Sequence, residues 1–534
     1  MVGVQTMSTL DTLVLGGGPN GLIAATYLAR GGRKVLLLEP GSQTGGSAVT
    51  DTFADGFRVS ATFPSAETFE PSILSELGIA DAVEILPPEG FLVASASGEP
   101  LVLPPSEDGS ATAEAIARQA SGDADAFRDL DRFLRRIADA LHPLVANPLP
   151  PLEPEGLGDL FGLAKHGLRL RGLGAHDLAE FMRFLPMPIH DVVEERFADE
   201  RLRAAVAGPA LVGSWCGPRS PGSTLNMVFH RLGLGRGAVA FPRFVRGGIG
   251  QLSAALETAA RQAGVEIRTD ASIQRIRTED GRVRGVLLDG GEALDAGTVV
   301  STLDPRRTLV DLVDPLAFEP HFRWQARNIR CRGIVGLVHY ALSNVPDFQG
   351  VDDTAPLRGR IQVGETVDAL EQAFDATKYG EIPERPYLDV TIPSLTDPSL
   401  APDGQHVLSA WVQFPPYHLR DRTWDDARDA FGDIVDQRLE SVAPGFTGQV
   451  LHRRVLTPKD LEDRFGVTGG CLHHVEPALD QALYMRPYPG GGRHDTPIQG
   501  LWLGGQGTHG GPGLTGLPGR NVARRVLDSR VSNG

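Results

Sequence analysis

Short unbroken apolar runs punctuate the chain, and the first two frame a glycine turn. Leu13-Val14-Leu15 is followed at once by Gly16-x-Gly18-x-x-Gly21, and the apolar run at residues 35–38 ends on Glu39. Runs of this length bounded by glycine read as strands buried on both faces, and residues 21–30 between them read as a helix. From residue 51 the pattern changes. Apolar alternation predicts a strand over 57–61 and a helix start at 71–77, and residues 81–103 form a β-rich excursion ending in Pro104-Pro105. Over 111–140, Ile116, Phe127, Leu130, Phe133, Leu134 and Ile137 recur at helical spacing. Residues 142–156 hold too many prolines for a helix or central strand and read as an exposed loop. Residues 157–184 and 191–211 are helical again, with arginines on the polar face. A long helical insertion of this kind is suited to a lid or a substrate wall.

Further on, 250–263 reads as an amphipathic helix and 265–268 as a strand. Residues 273–278 and 282–288 read as a hairpin across Glu279-Asp280-Gly281, and 299–301 as a buried strand. Strands are also predicted over 335–340 and 407–414, with a helix over 424–442. Near the C-terminus, Leu501-Trp502-Leu503 forms a strand, 504–516 a glycine loop and 517–527 a helix.

The first module carries recognisable chemistry. Gly16 permits a tight turn, Gly18 lets backbone approach a diphosphate, and Gly21 lets the helix pack on the strand, with Pro19 and Asn20 as further cofactor-binding candidates in the turn. The helix start then offers free N–H groups and a positive dipole end to that diphosphate. Glu39 is placed to accept hydrogen bonds from ribose hydroxyls, which argues against the 2′-phosphate of NADP. The glycine spacing alone carries little. With 64 Gly in 534 residues it arises about once per chain by chance, and it recurs from Gly505 and from Gly511. The strand before, helix after and acid at the right distance supply the specificity. After Pro40, the pair Gly45-Gly46 followed by Ser47 favours FAD over NAD, because flavoproteins of the glutathione-reductase type pass the chain close to the flavin diphosphate there.

Length and composition narrow the classes. At 534 residues two domains are expected, and 41% hydrophobic content fits a globular protein. A net charge of −16 disfavours nucleic acid as a partner. Cys216, Cys331 and Cys471 are scattered with no C-x-x-C, so dithiol chemistry is excluded and buried, inert thiols are expected. Residues 1–10 lack a signal-peptide pattern, with Met7 a candidate start, and no stretch approaches a membrane span, so a cytoplasmic protein is expected. No H-E-x-x-H, P-loop or G-x-S-x-G motif appears, and no metal site is expected.

Gly18-Pro19-Asn20-Gly21-Leu22, residues 246–252, residues 300–305 and the C-terminal glycine loop together resemble the phytoene-desaturase-like flavoproteins of the amine-oxidase superfamily. Within it, the chain looks most like the branch labelled pyridine nucleotide-disulfide oxidoreductase domain-containing proteins. The resemblance implies an α/β architecture: a glutathione-reductase-like FAD-binding Rossmann domain plus an α+β substrate domain with an antiparallel sheet and a helical lid. The FAD domain would comprise 1–70, 241–306 and 465–534, and the substrate domain 71–240 and 307–464. It further implies backbone contact of Ile273 with adenine, and flavin contacts from Gly505, Gln506, Gly513, Thr515 and Gly516. Thr508-His509-Gly510-Gly511-Pro512 departs from the T-H-P-G-G usual at this loop. Acid–base candidates near the ring are His473, His474, Glu476 and His509, set against the alternative that they brace the flavin loop.

The activity implied is desaturation or oxidation of a hydrophobic, isoprenoid-like substrate by hydride transfer to flavin N5. Oxygen or a quinone would accept the electrons. A redox-neutral isomerase or hydratase, or a flavoprotein acting through interaction, stands as the alternative. Such a substrate leaves room for peripheral membrane contact, and the oligomeric state stays open.

Overall fold

The computed structural model describes residues 10–154, 156–233 and 237–531. The reading of residues 1–9 as free of a signal peptide lies outside these. The two framing runs are neighbours in one parallel sheet, whose spatial order is Leu501–Leu503, Thr298–Ser301, Thr12–Leu15, Val35–Leu38, Glu266–Arg268. Leu13 stands opposite Val299 on one side and Leu36 on the other. Both framing strands are buried at every position, as their unbroken apolar sequence requires in a sheet covered on both faces. The Pro19–Arg30 helix forms the crossover between them and packs against Leu517–Val531 and Gly250–Gln262. All five strands come from the three segments of the expected nucleotide domain. Ile273–Glu279, Arg282–Leu288 and Ala293–Asp295 form a separate antiparallel sheet. Its first turn places Asp280 and Gly281 at φ 49° and 70°, the paired left-handed conformation that a two-residue hairpin favours.

The two excursions meet in a seven-stranded sheet. Its order is Val450–Leu456, Val335–Leu342, His406–Gln413, Tyr387–Thr391, Arg360–Val363, Phe91–Ala94, Leu101–Leu103. It is antiparallel except where Arg360–Val363 pairs with Phe91–Ala94, and that parallel seam joins the excursions. Helices from Ser110–Gln119 to Ser223–His230 build the wall beside it.

Several sequence expectations change. The helical stretch 111–140 is two helices, Ser110–Gln119 and Ala124–Val145, and 191–211 is likewise two, the second capped by the Asp199 carboxylate. Thr50–Ala54, Arg360–Val363, Tyr387–Thr391, Val450–Leu456 and the Val367–Lys378 helix had no counterpart in the sequence reading. The proline-rich stretch 142–156 is not simply an exposed loop. The helix runs through Pro143 to Val145, and Val145, Ala146 and Leu149 are buried. Carbonyls at this helix end find donors far away in sequence. Arg520 donates to Ala146 O at 3.0 Å, Asn521 to Val145 O at 3.2 Å, and His509 Nε2 lies 3.0 Å from Leu144 O. On the outside, Leu157–Arg171 buries none of its residues, and Leu157, Leu160, Phe161 and Leu168 are exposed along one face.

Candidate functional site: two adjoining cavities

The glycine turn is held by contacts that exclude side chains. Gly16 has φ 98°, and a Cβ on Gly21 would lie 1.9 Å from Gly16 O. Thr302 Oγ1 donates to Leu15 O at 2.9 Å and so ties the turn to the next strand. Glu39 reaches back from its strand end: its Oε2 accepts from Gly17 N at 2.7 Å and its Oε1 from Gly41 N at 2.8 Å. Each oxygen keeps lone-pair capacity for a ribose hydroxyl. Gly45, at φ 114°, donates its N–H to Gly17 O at 2.8 Å, and a Cβ on Gly46 would sit 3.2 Å from Gly18 Cα. The second glycine pair is therefore needed for the two backbones to touch.

These residues wall a cavity of about 1110 Å³. Gly16, Gly18, Pro19, Asn20, Gly21, Glu39, Pro40, Gly46 and Ser47 line it, with Thr302, Asp304, Arg307, Phe465, His474 and Gln506 opposite. Two features fit a dinucleotide with a flavin. No side chain caps the start of Pro19–Arg30, so its N–H groups stay available to a diphosphate. On the far wall, His474 Nδ1 is buried without a hydrogen-bond partner in the structure. Asp304 anchors the rim: it accepts from Arg307 N at 2.8 Å and Thr468 Oγ1 at 2.8 Å, while burial pushes its carboxyl up.

Other expected contacts stand elsewhere. Gly45 lies behind the turn. Ile273 pairs with Leu288 in the hairpin and packs into an apolar cluster, outside the cavity lining. Gly505 rests on backbone, its absent Cβ 2.5 Å from Thr302 O. Thr515 Oγ1 donates to Gly510 O at 2.7 Å and accepts from Leu517 N, bracing the last helix. Gly516 packs on Ile23, Ile73 and Phe69. None of these five lines the nucleotide cavity.

A second cavity of about 570 Å³ adjoins the first. Phe63 lines both, and Gln506 Nε2 of the first lies 3.3 Å from His473 Nδ1 of the second. Gly513 lines the second. Phe63, Pro64, Pro209, Val212 and Trp411 make its apolar wall. Glu67, His230, Arg231, Arg360 and Asp389 make a polar wall, which the sequence reading missed. Arg360 holds that wall together, donating to Asp389 at 3.0 Å, Glu67 at 2.9 Å and Ala240 O at 3.3 Å. The available signal was a charge inside an apolar strand, in RIQV and YLDVT.

The acid–base candidates separate by position. Of His509, His474 and Glu476, only His474 faces the nucleotide cavity. His509 Nε2 sits between the carbonyls of Leu144 and Asn147 at 3.0 and 3.1 Å. Glu476 is clasped by Arg332 at 2.6 Å and Arg330 at 3.3 Å and lines neither cavity. Burial pushes His474 and His509 down to about 4 and His473 to about 3, so all three are neutral at physiological pH.

A pH dependence of stability follows. His339, His473, His494 and His509 are buried with pKa values pushed down to between about 3 and 4 by burial. Below the ordinary value of 6.5 the unfolded chain binds protons that the folded chain does not. Stability is therefore fully present above that value and falls with pH down to the folded values, by about 1.4 kcal/mol per pH unit for each imidazole. Burial raises Asp304 and Asp389, which offsets part of the slope at the acid end. The thermal midpoint is expected to fall steadily from pH 6.5 to 4.5; a flat profile would count against neutral burial of these rings.

Among the described residues no helix is long and apolar enough to cross a membrane, and no cluster of metal-ligating side chains occurs. A family model described as flavin containing amine oxidoreductase matches residues 20–450. The chain is 32% identical over 545 residues to pyridine nucleotide-disulfide oxidoreductase domain-containing protein 2 of Rattus norvegicus, covering 97% of this chain and 93% of that one. It is 27% identical to one of the polypeptides of limonene dehydrogenase from Castellaniella defragrans, covering 98% and 95%. It is 26% identical to the neurosporene-forming phytoene desaturase of Cereibacter sphaeroides, covering 61% and 60%. Among solved structures, an oxidoreductase from Methanosarcina mazei superposes with TM-score 0.58 at 16% identity over 97% of this chain and 100% of that one. Putrescine oxidase bound to putrescine superposes with TM-score 0.57 at 16% identity, over 98% and 99%. The glycine turn, the acid behind it and the adjoining cavities thus belong to a member of the flavin containing amine oxidoreductase family, an oxidoreductase whose cofactor is FAD.

Proposed function

We propose that the protein dehydrogenates a largely apolar substrate at a C–H bond, with FAD as the hydride acceptor. The observation that carries this reading is the apolar wall of Phe63, Pro64, Pro209, Val212 and Trp411 opening beside the nucleotide cavity. Relatives named phytoene desaturase and limonene dehydrogenase support a CH–CH bond in such a substrate. Bound FAD supplies a hydride acceptor at N5. In this assignment the backbone N–H groups of Asn20 and Gly21 at the helix start would hold the diphosphate, with Gly18 giving it close approach, and Glu39 would take the ribose hydroxyls.

The chain's own residues position and exclude. His474, neutral and with an unpartnered Nδ1, offers the flavin a hydrogen bond rather than a charge. Gln506 and His473 hold one another at the boundary between the cavities. Phe63 and Trp411, with ring centroids 5.8 Å apart, keep water from the reacting face, and Trp411 Nε1 is fixed by Thr62 O at 2.8 Å. A proton that must leave the substrate has a candidate acceptor in Glu67, which lines this cavity and whose Oε2 is buried without a partner among the described residues.

The experiment is anaerobic mixing of the holoprotein with apolar alkenes, alcohols and amines, followed by the flavin absorption band. Bleaching by alkenes or saturated chains, with a new double bond in the product, is the expected result. Bleaching by amines or alcohols alone would overturn the CH–CH assignment.

A further inference from the structure

The second cavity carries a buried cation that no carboxylate among the described residues pairs with directly. Arg231 follows the Ser223–His230 helix and is 1% exposed. The only hydrogen bond of its side chain among the described residues is a long one, from one terminal nitrogen to Ala238 O at 3.4 Å. Its Nε is buried without a partner, and so is His230 Nε2 beside it. No carboxylate among the described residues forms an ion pair with Arg231. The two acids whose charge it feels most are anchored to other arginines, Glu67 through Oε1 to Arg360 at 2.9 Å with its Oε2 left unpartnered, and Asp131 to Arg135 at 2.6 Å. Burial pushes the guanidinium down to about 10, the mark of a charge short of compensation.

Buried arginines ordinarily have their fork filled, most often by carboxylate. Arg360, on the same wall, shows the filled case. Arg231 shows the open one, and it lines a cavity that otherwise suits an apolar chain. We propose that the substrate carries a carboxylate head, held by Arg231 with His230, while its apolar remainder lies along Val212, Trp411 and Phe63 toward the nucleotide cavity. This rests on reading that cavity as the substrate site. A single carboxylate matches the single uncommitted guanidinium. A phosphate dianion would bring excess negative charge against Glu67 and Asp389, which share the wall. Anchoring one end would also set which carbons reach the junction at Phe63, so Arg231 would be a specificity determinant as well as a binding group.

The test uses the FAD-loaded protein and three probes of one chain length: dodecanoate, methyl dodecanoate and dodecane, each titrated against the flavin spectrum. Arg231→Met and Arg231→Lys are measured alongside, with FAD content and far-ultraviolet circular dichroism as checks of folding. The expected result is that wild type binds dodecanoate roughly 10–100-fold tighter than the ester, as a charged hydrogen-bonding pair warrants. Arg231→Met is expected to lower the acid to the level of the ester and leave the ester unchanged, and Arg231→Lys to retain part of the preference. If Arg231→Met fails to fold, the wild-type ratio and Arg231→Lys decide. Equal binding of acid and ester, or an intact preference in folded Arg231→Met, would overturn the carboxylate anchor alone. No spectral response to any of the three would overturn the apolar substrate reading with it.

Discussion

Substituting alanine for Gly21 is expected to yield protein with no bound FAD. The reason is steric: the new Cβ would fall 1.9 Å from Gly16 O and 2.9 Å from Thr302 Oγ1. Backbone on one side and a buried, doubly used hydroxyl on the other leave it nowhere to go. The helix must then lift from the strand, which withdraws its N–H groups from the diphosphate position and strains the Gly17 link to Glu39. Gly18→Ala is the contrast, since a Cβ there meets nothing within 4 Å of protein. Any loss of FAD in that variant reports a clash with the cofactor itself, in chain that stays folded. The measurement is FAD per chain after purification, with circular dichroism to separate loss of cofactor from loss of fold. Full FAD content in Gly21→Ala would refute the tight turn.

The second large effect is in the wall of the other cavity. Arg360→Met is expected to destabilise the protein by about 3–5 kcal/mol, because it strands buried carboxylates that have lost their cation. Arg360 is 7% exposed, Asp389 5% and Glu67 15%, so solvent screens little of the interaction. Burial already raises the Asp389 carboxyl, and Arg360 is the group holding it down. Without Arg360, Asp389 folds most easily in its protonated form. The gap between wild type and variant is therefore expected to be widest near pH 7 and to narrow as pH falls toward the raised value. Thermal midpoints of both proteins across that range check it, and a gap that is small or independent of pH would contradict the ion cluster.

The parts legible in the sequence are those written in neighbouring residues. Leu13 to Glu39 holds a strand, turn, helix, strand and acid in one short segment, and the structure assembles it as read. The hairpin around Asp280-Gly281 was legible for the same reason. Where structure depends on distant partners, the sequence pattern misleads. The stretch after Pro143 is proline-rich by composition, yet its first part is buried at Val145, Ala146 and Leu149, because Arg520, Asn521 and His509 arrive more than 360 residues later to take its carbonyls. Arg360–Val363 and Tyr387–Thr391 each carry a charge that hides a strand, since Arg360 and Asp389 meet only across the assembled sheet, with Glu67 joining from a distant turn. Side-chain direction is lost as well. His473 and His474 are adjacent, but with His474 at φ 60° one ring faces the second cavity and the other the first. Glu476, two residues on, turns away to Arg330 and Arg332.

The most direct measurement is the visible spectrum of the purified wild-type protein, with the cofactor then released by heat and quantified. One FAD per chain is the predicted result, with a flavin band that differs from free FAD and shifts when an apolar ligand is added. Colourless protein, or a released nicotinamide dinucleotide in place of FAD, would contradict the assignment built on Gly16, Gly21, Glu39 and Gly46.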